Sequence, residues 1–171
     1  MNHFAHLVLS QATVESTVGN LLGDFARGVD VTALPAPVHA GLLNHRAVDR
    51  FTDSHPLVLE MKRCFSRRRR RFAGIALDIY FDHLLLEHWH NFDQRVLDDV
   101  IAEFYRLMEA GQSLMPGDDM RRVTRRMIEF DWFGSYRDLD AIAESLDQIA
   151  RGSPLTVVNR LESGRTTSHP A

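Results

Sequence analysis

Apolar residues recur at three- and four-residue intervals along nearly the whole chain, and β-branched alternating runs are scarce. That period leaves helices as the main building material. Helices are expected over about 2–9, 14–27, 37–53, 57–72, 74–90, 94–112, 118–131 and 139–151. Thr13 is a suitable N-cap and Gly28 a stop for the second. Pro56 separates the third from the fourth, because the residue before proline avoids the α region. At 171 residues one domain is expected. The expectation is an all-α, single-domain helical bundle of about seven or eight helices over residues 1–151. Residues 152–171, polar and turn-rich, are expected to form a partly disordered tail.

The composition narrows the class of function. Cys64 is the only cysteine, which excludes an intrachain disulfide and suits a reducing, cytoplasmic location. No apolar run approaches the ~20 residues of a membrane span. The start, "MNHFAHLVLS", lacks the basic and apolar regions of a secretory signal. A formal net charge of -3 argues against general coating of nucleic acid. Two arginine clusters, Arg67–Arg71 and Arg121, Arg122, Arg125 and Arg126, make local basic patches the more informative feature.

The helices also carry polar residues where apolar ones are expected. In "GIALDIYFDHLLLEHWH", Asp78 and Asp82 are one turn apart and about 40° apart around the helix. Ile75, Leu85, Leu86 and Trp89 fall in the same sector. An unpaired buried carboxylate is costly, so each needs a cation or strong donors; structural salt bridges to arginine are one answer. In "NHRAVDRFTDSH", His45 and Asp49 share a stripe, Asp53 lies slightly further around, and Arg46 and Arg50 form a parallel stripe. A nitrogen and an oxygen at this spacing suit a borderline-to-hard divalent metal. A solvated helix with one-turn pairing has the same spacing. In "GNLLGDFARG", Asp24 and Arg27 border the apolar sector, and Gly19 and Gly23 imply close approach of a backbone or a ligand. His3 and His6 stand one turn apart near the start, but core or surface histidines are commoner than ligands. No phosphate-binding glycine loop, Cys-x-x-Cys pair or nucleophile elbow competes. A carboxylate-and-histidine metal site inside a helical bundle is the sharpest reading.

The set "MNHFAHLVLS", "GNLLGDFARG", "HRAVDRFTDSHP" and "DIYFDHLLLEHW", in order and at fitting spacings, resembles the bacterial acyl carrier protein phosphodiesterases. "SYRDLDAIAESLDQIARGSP" is similar to that family too, and the likeness covers roughly residues 1–150. The resemblance implies a helical enzyme distantly related to the HD-domain metal phosphohydrolases. Its reaction is hydrolysis of the phosphodiester that joins 4′-phosphopantetheine to a serine of holo-acyl carrier protein. A divalent cation is implied, Mn²⁺ first, with Mg²⁺ or Fe²⁺ as alternatives. By matching positions, Asp24, His45, Asp49, Asp53, Asp78, Asp82, His83 and His6 carry over. HD enzymes have an adjacent His-Asp pair; here the adjacent pair, Asp82-His83, runs in the opposite order. Where relatives continue with an aromatic-rich helix, this chain has "NRLESGRTTSHPA".

A metal supplies both charge neutralisation and an activated water for such a reaction. The expected ligands are Asp24, His45, Asp78 and Asp82. Asp49 or His83 is the expected base or supporting residue, with Arg27, Arg46 or Arg50 on the phosphate. His6 and Asp53 are further candidates. The partner is a small acidic protein, so a basic docking face is expected. Arg121, Arg122, Arg125 and Arg126 span about 140° of one helix face and are the preferred one. The run Arg67–Arg71 winds more than a full turn and reads also as a solvated helix end. Two other functions share these features: an HD-like hydrolase of a nucleotide or other small phosphodiester, and a non-catalytic helical interaction protein. The oligomeric state is left open.

Overall fold

The computed structural model describes residues 2–140, 142, 143 and 146. The chain runs α1 (His3–Val8), α2 (Val14–Leu22), α3 (Ala36–Ser54), α4 (Pro56–Cys64), α5 (Ala73–Glu87), α6 (Leu97–Ala110), α7 (Asp118–Glu129) and α8 (Trp132–Ser135), joined by 3₁₀ turns. Among the described residues there is no strand. None of the helices is long and apolar enough to cross a membrane. The expected tail, 152–171, lies outside the described residues. Of the expected helix at 139–151, Leu139, Asp140, Ile142, Ala143 and Leu146 are helical, and the others lie outside the described residues.

Local chemistry accounts for most boundaries. The Thr13 side chain accepts a hydrogen bond from the Ser16 N–H and caps α2. His55, extended at ψ 131°, ends α3, and Pro56 opens α4. Asp131, at φ 47°, turns the chain into α8, and its carboxylate accepts from the Gly134 N–H. This one-turn helix falls between two expected ones; a single turn is too short to show a period.

Three expected elements are corrected. The second helix stops at Leu22 instead of Arg27 and tightens into a 3₁₀ turn, Gly23–Phe25. The fourth stops at Cys64, because Phe65 is extended at ψ 135°. Arg67–Arg71 therefore form an exposed turn leading into α5, not a helix end. Five successive like charges repel one another and give a helix little support. On α5, Ile75 is 47% exposed while Leu77, Ile79 and Leu86 are buried, so its apolar residues do not share one sector with Asp78 and Asp82.

α2 and α3 pack most intimately. A Cβ on Gly19 would lie 2.8 Å from the Gly41 Cα, and one on Gly41 2.9 Å from the Gly19 Cα. Bare backbones in contact bring everything that follows on α2 and α3 close together. The core is built around Phe4, Leu21, Leu42, Phe104, Met127 and Phe133. Phe4 holds α1 there, with ring centroids 5.9 Å from Trp89 and Phe104 and 5.5 Å from Phe133.

Candidate active site

Three groups from two helices converge where α1 crosses α3. The buried rings of His6 and His45 stack with centroids 3.8 Å apart and planes 15° from parallel. His6 Nε2 lies 3.0 Å from Asp49 Oδ1, and His45 Nε2 lies 3.0 Å from Asp49 Oδ2. One nitrogen or oxygen from each residue falls within 4.8 Å of the others, close enough to share one metal ion.

The His6–Asp49 approach is within hydrogen-bonding distance but lacks hydrogen-bond geometry, leaving both buried His6 nitrogens without a hydrogen-bond partner among the described residues. A buried polar atom without a partner is unfavourable by about 1–3 kcal/mol, so its retention points to a ligand. Burial first, and then neighbouring His45, lower the His6 pKa to about 4. His6 is therefore neutral at neutral pH, with a lone pair to offer. Asp49 is also acted on by burial, which raises it, but positive neighbours including His45 and His6 hold it below the ordinary carboxylate range. A neutral imidazole at His6, the imidazole of His45 and an ionised carboxylate at Asp49 fit a divalent cation such as Mn²⁺, Fe²⁺ or Zn²⁺.

Gly23 makes the room. A Cβ there would stand 2.1–2.3 Å from atoms of the His45 ring. Gly19 and Gly23 thus answer both expectations, Gly19 meeting a backbone and Gly23 a site side chain. The 3₁₀ turn beginning at Gly23 carries Asp24, whose Oδ2 lies 3.1 Å from His3 Nδ1. Burial raises Asp24, yet the His3 contact and the charges of His45 and His6 bring it below its usual value. Asp24 and His3 therefore border the His6–His45–Asp49 group. His3 had no assigned role beyond its one-turn spacing from His6.

Asp82 has different work. Its buried carboxylate accepts hydrogen bonds from the N–H groups of Phe4 and Ala5, both at 3.0 Å. It anchors the first turn of the short helix that carries His3 and His6. Burial pushes its pKa up to about 7, against those two N–H groups. Asp78, one turn earlier, is raised above its ordinary value by burial first, and Asp53 and Asp49 raise it further. That repulsion puts Asp78 in the neighbourhood of Asp49.

The structure does not bring the remaining candidates into this group. His83 Nδ1 lies 2.8 Å from the Tyr136 carbonyl oxygen and its Nε2 3.4 Å from Glu87. Both nitrogens face structural partners beside a separate cavity of about 420 Å³ lined with Leu86, Glu87, Arg137 and Leu139. Asp53 is exposed and pairs with Lys62 at 2.8 Å. Arg27 lines an open cavity of about 880 Å³ between the α2–α3 and α6–α7 connections. Arg46 is exposed on α3, one turn before Arg50 and three residues before Asp49. The arginines of α7 are largely engaged: Arg121 pairs with Asp118 and Arg122 with Asp119, both at 2.6 Å. Arg125 bonds Gln112 at 3.3 Å, and Arg126 lies 5.7 Å from the Phe130 ring centroid.

Comparison with known proteins identifies the family. The family described as acyl carrier protein phosphodiesterase matches residues 1–166. A protein of that name from Shigella boydii serotype 18 is 35% identical over 158 residues, covering 90% of this chain and 80% of the relative. One from Escherichia coli O6:H1 is 35% identical over 157 residues, and one from Yersinia pestis 35% over 159, with the same coverage. No solved structure matches the chain. The extent of the family match and the identity over most of both chains place this protein in the acyl carrier protein phosphodiesterase family.

Proposed function

We propose that the protein hydrolyses the phosphodiester between 4′-phosphopantetheine and the serine of holo-acyl carrier protein, with a divalent cation, Mn²⁺ first, at His6, His45 and Asp49. The observation that carries the metal is the stacked His6–His45 pair facing the two oxygens of one carboxylate. The relatives' name carries the substrate.

When bound, the cation supplies Lewis acidity toward a phosphoryl oxygen and lowers the pKa of a coordinated water. The rest is assigned to the chain. His6 remains neutral and Asp49 ionised, so Asp49 supplies one negative charge. Asp24, ionised beside His3, adds a second negative charge nearby. Asp78, which burial raises above its ordinary value, is the carboxylate assigned to accept a proton from the attacking water. Water's oxygen bonds to phosphorus, the phosphorus–serine oxygen bond breaks, and the serine oxygen takes up a proton. Apo-carrier protein and 4′-phosphopantetheine leave. Exposed Arg46 is placed to meet a phosphate oxygen as the substrate approaches Asp49.

The test is mass spectrometry of holo-acyl carrier protein incubated with purified protein, with and without Mn²⁺. Loss of the phosphopantetheine arm only with metal is expected. Intact carrier protein together with cleavage of a nucleotide diester would overturn the substrate. Full cleavage in excess chelator would overturn the metal.

A further inference from the structure

Charge is distributed very unevenly along this chain. Residues 36–72 hold nine Lys and Arg against three Asp and Glu, whereas the other residues hold eleven against twenty. The positive segment is continuous in the fold: α3, α4 and the arginine turn before α5. The Lys62–Asp53 bridge at 2.8 Å draws α4 back beside the end of α3. Arg63 and Arg67–Arg71 are exposed, and none forms an ion pair with a described acid.

The other basic cluster is different. Residues 115–131 set four arginines against four acids. Arg121 and Arg122 are neutralised within one turn by Asp118 and Asp119. Charges already paired on their own helix project little field toward a partner.

The positive segment also exposes apolar side chains, Phe51 at 72% and Leu57 at 62%. Large apolar groups rimmed by cations suit a protein partner better than a free small anion. The segment also carries two of the three site residues, since His45 and Asp49 lie on the same helix as Phe51.

We propose that the acidic carrier protein docks on the face formed by the end of α3, α4 and the arginine turn 67–71, and not on the arginines of α7. The inference rests on the proposed function for its partner. Charge complementarity and the exposed Phe51 and Leu57 select the surface. Docking there delivers the carrier's modified serine toward Asp49 along α3.

Paired charge reversals separate the two faces. R68E/R69E and R122E/R125E change net charge equally and alter only exposed or half-exposed side chains. Binding of apo-carrier protein, which is not turned over, is measured in Mn²⁺ at low and high salt, with circular dichroism as the fold check. R68E/R69E, and R63E separately, are expected to weaken binding by about tenfold or more at low salt, with the difference shrinking at high salt. R122E/R125E is expected to stay within about twofold of wild type. Turnover of a small aryl phosphodiester is expected to be unchanged in R68E/R69E. Unchanged carrier binding in R68E/R69E, or loss confined to R122E/R125E, overturns this docking face alone. Wild-type protein that neither binds nor cleaves carrier protein overturns the proposed function, and the docking inference with it.

Discussion

His6 and His45 lie face to face at 3.8 Å, and their Nε2 atoms reach opposite oxygens of Asp49. Two imidazoles from different helices stacked over one carboxylate are an arrangement with a single-ion geometry. Replacing His45 with alanine removes a ligand and also opens space beside Gly23. His45→Ala is expected to lower Mn²⁺ affinity by more than about 100-fold, since even residues supporting a ligand matter by 10–100-fold. Isothermal titration of the metal-stripped protein checks this directly. Binding unchanged in His45→Ala would place the metal elsewhere.

Gly19 and Gly23 sit one turn apart on the chain yet predict opposite phenotypes. Alanine normally favours a helix over glycine by about 1 kcal/mol. At Gly19 the added Cβ meets backbone, 2.1 Å from the Val38 carbonyl oxygen. Backbone cannot step aside, so G19A is expected to destabilise by about 1–3 kcal/mol or more. At Gly23 the Cβ meets the ring of His45. G23A should keep most of its stability, since a ring can rotate away, and lose metal affinity instead. Thermal melts paired with Mn²⁺ titration of both variants distinguish the outcomes.

The pH dependence of the metal-free protein follows from His6. Its folded-state pKa of about 4 lies below the ordinary histidine value of 6.5. Between these values the unfolded chain binds more protons than the folded one. His6 therefore adds no penalty above about pH 6.5, and stability is lost as pH falls toward 4. The loss is on the order of 3 kcal/mol. His6→Asn, which cannot titrate, should flatten this part of the profile in urea melts followed between pH 7 and 4. An unchanged slope would show that another group supplies it.

Much of this was legible in the sequence, for physical reasons that can be named. Thr13, Pro56 and the His45–Asp49 spacing act through neighbours within one turn, so the cap of α2, the α3–α4 break and two of the three converging groups were readable. Periodicity alone gave α3 as 37–53 against the observed Ala36–Ser54. What was not legible depends on partners distant in the chain. The closeness of Gly23 to the His45 ring, where a Cβ would stand 2.1–2.3 Å away, joins residues 22 positions apart. Asp82 was expected to face a metal because its helix is apolar; its actual donors, Phe4 and Ala5, are 78 and 77 residues away. His83 matched a motif, but its ring is held by Tyr136, 53 residues on. The α7 arginines looked like a free patch because one-turn pairing to Asp118 and Asp119 was not weighed against it.

His83→Ala tests that reassignment. The variant loses a buried bond to the Tyr136 carbonyl oxygen, which is expected to cost about 1–2 kcal/mol of stability. Its Mn²⁺ affinity is expected to remain within a few-fold of wild type, roughly the limit of an indirect effect. A 100-fold loss of affinity in a variant that melts normally would return His83 to the site.

Asp82 gives the sharpest separation of support from ligation. Removing a carboxylate that accepts two buried N–H groups leaves both donors unsatisfied, at about 1–3 kcal/mol each. Those donors begin the helix that carries His3 and His6, so the loss spreads to the metal group through backbone position. Asp82→Ala is expected to be destabilised by several kcal/mol and to bind Mn²⁺ weakly. Asp82→Asn keeps one acceptor oxygen and turns an N–H₂ toward the second donor, so it should fall between wild type and alanine in both properties. If Asp82 acts by anchoring α1, metal affinity and stability decline together across the three proteins, and a stabilising osmolyte recovers part of the affinity. If Asp82 is itself a ligand, Asp82→Asn loses affinity out of proportion to its melting temperature, and osmolyte recovers none. Calorimetric melts and Mn²⁺ titrations on the same samples decide between the two.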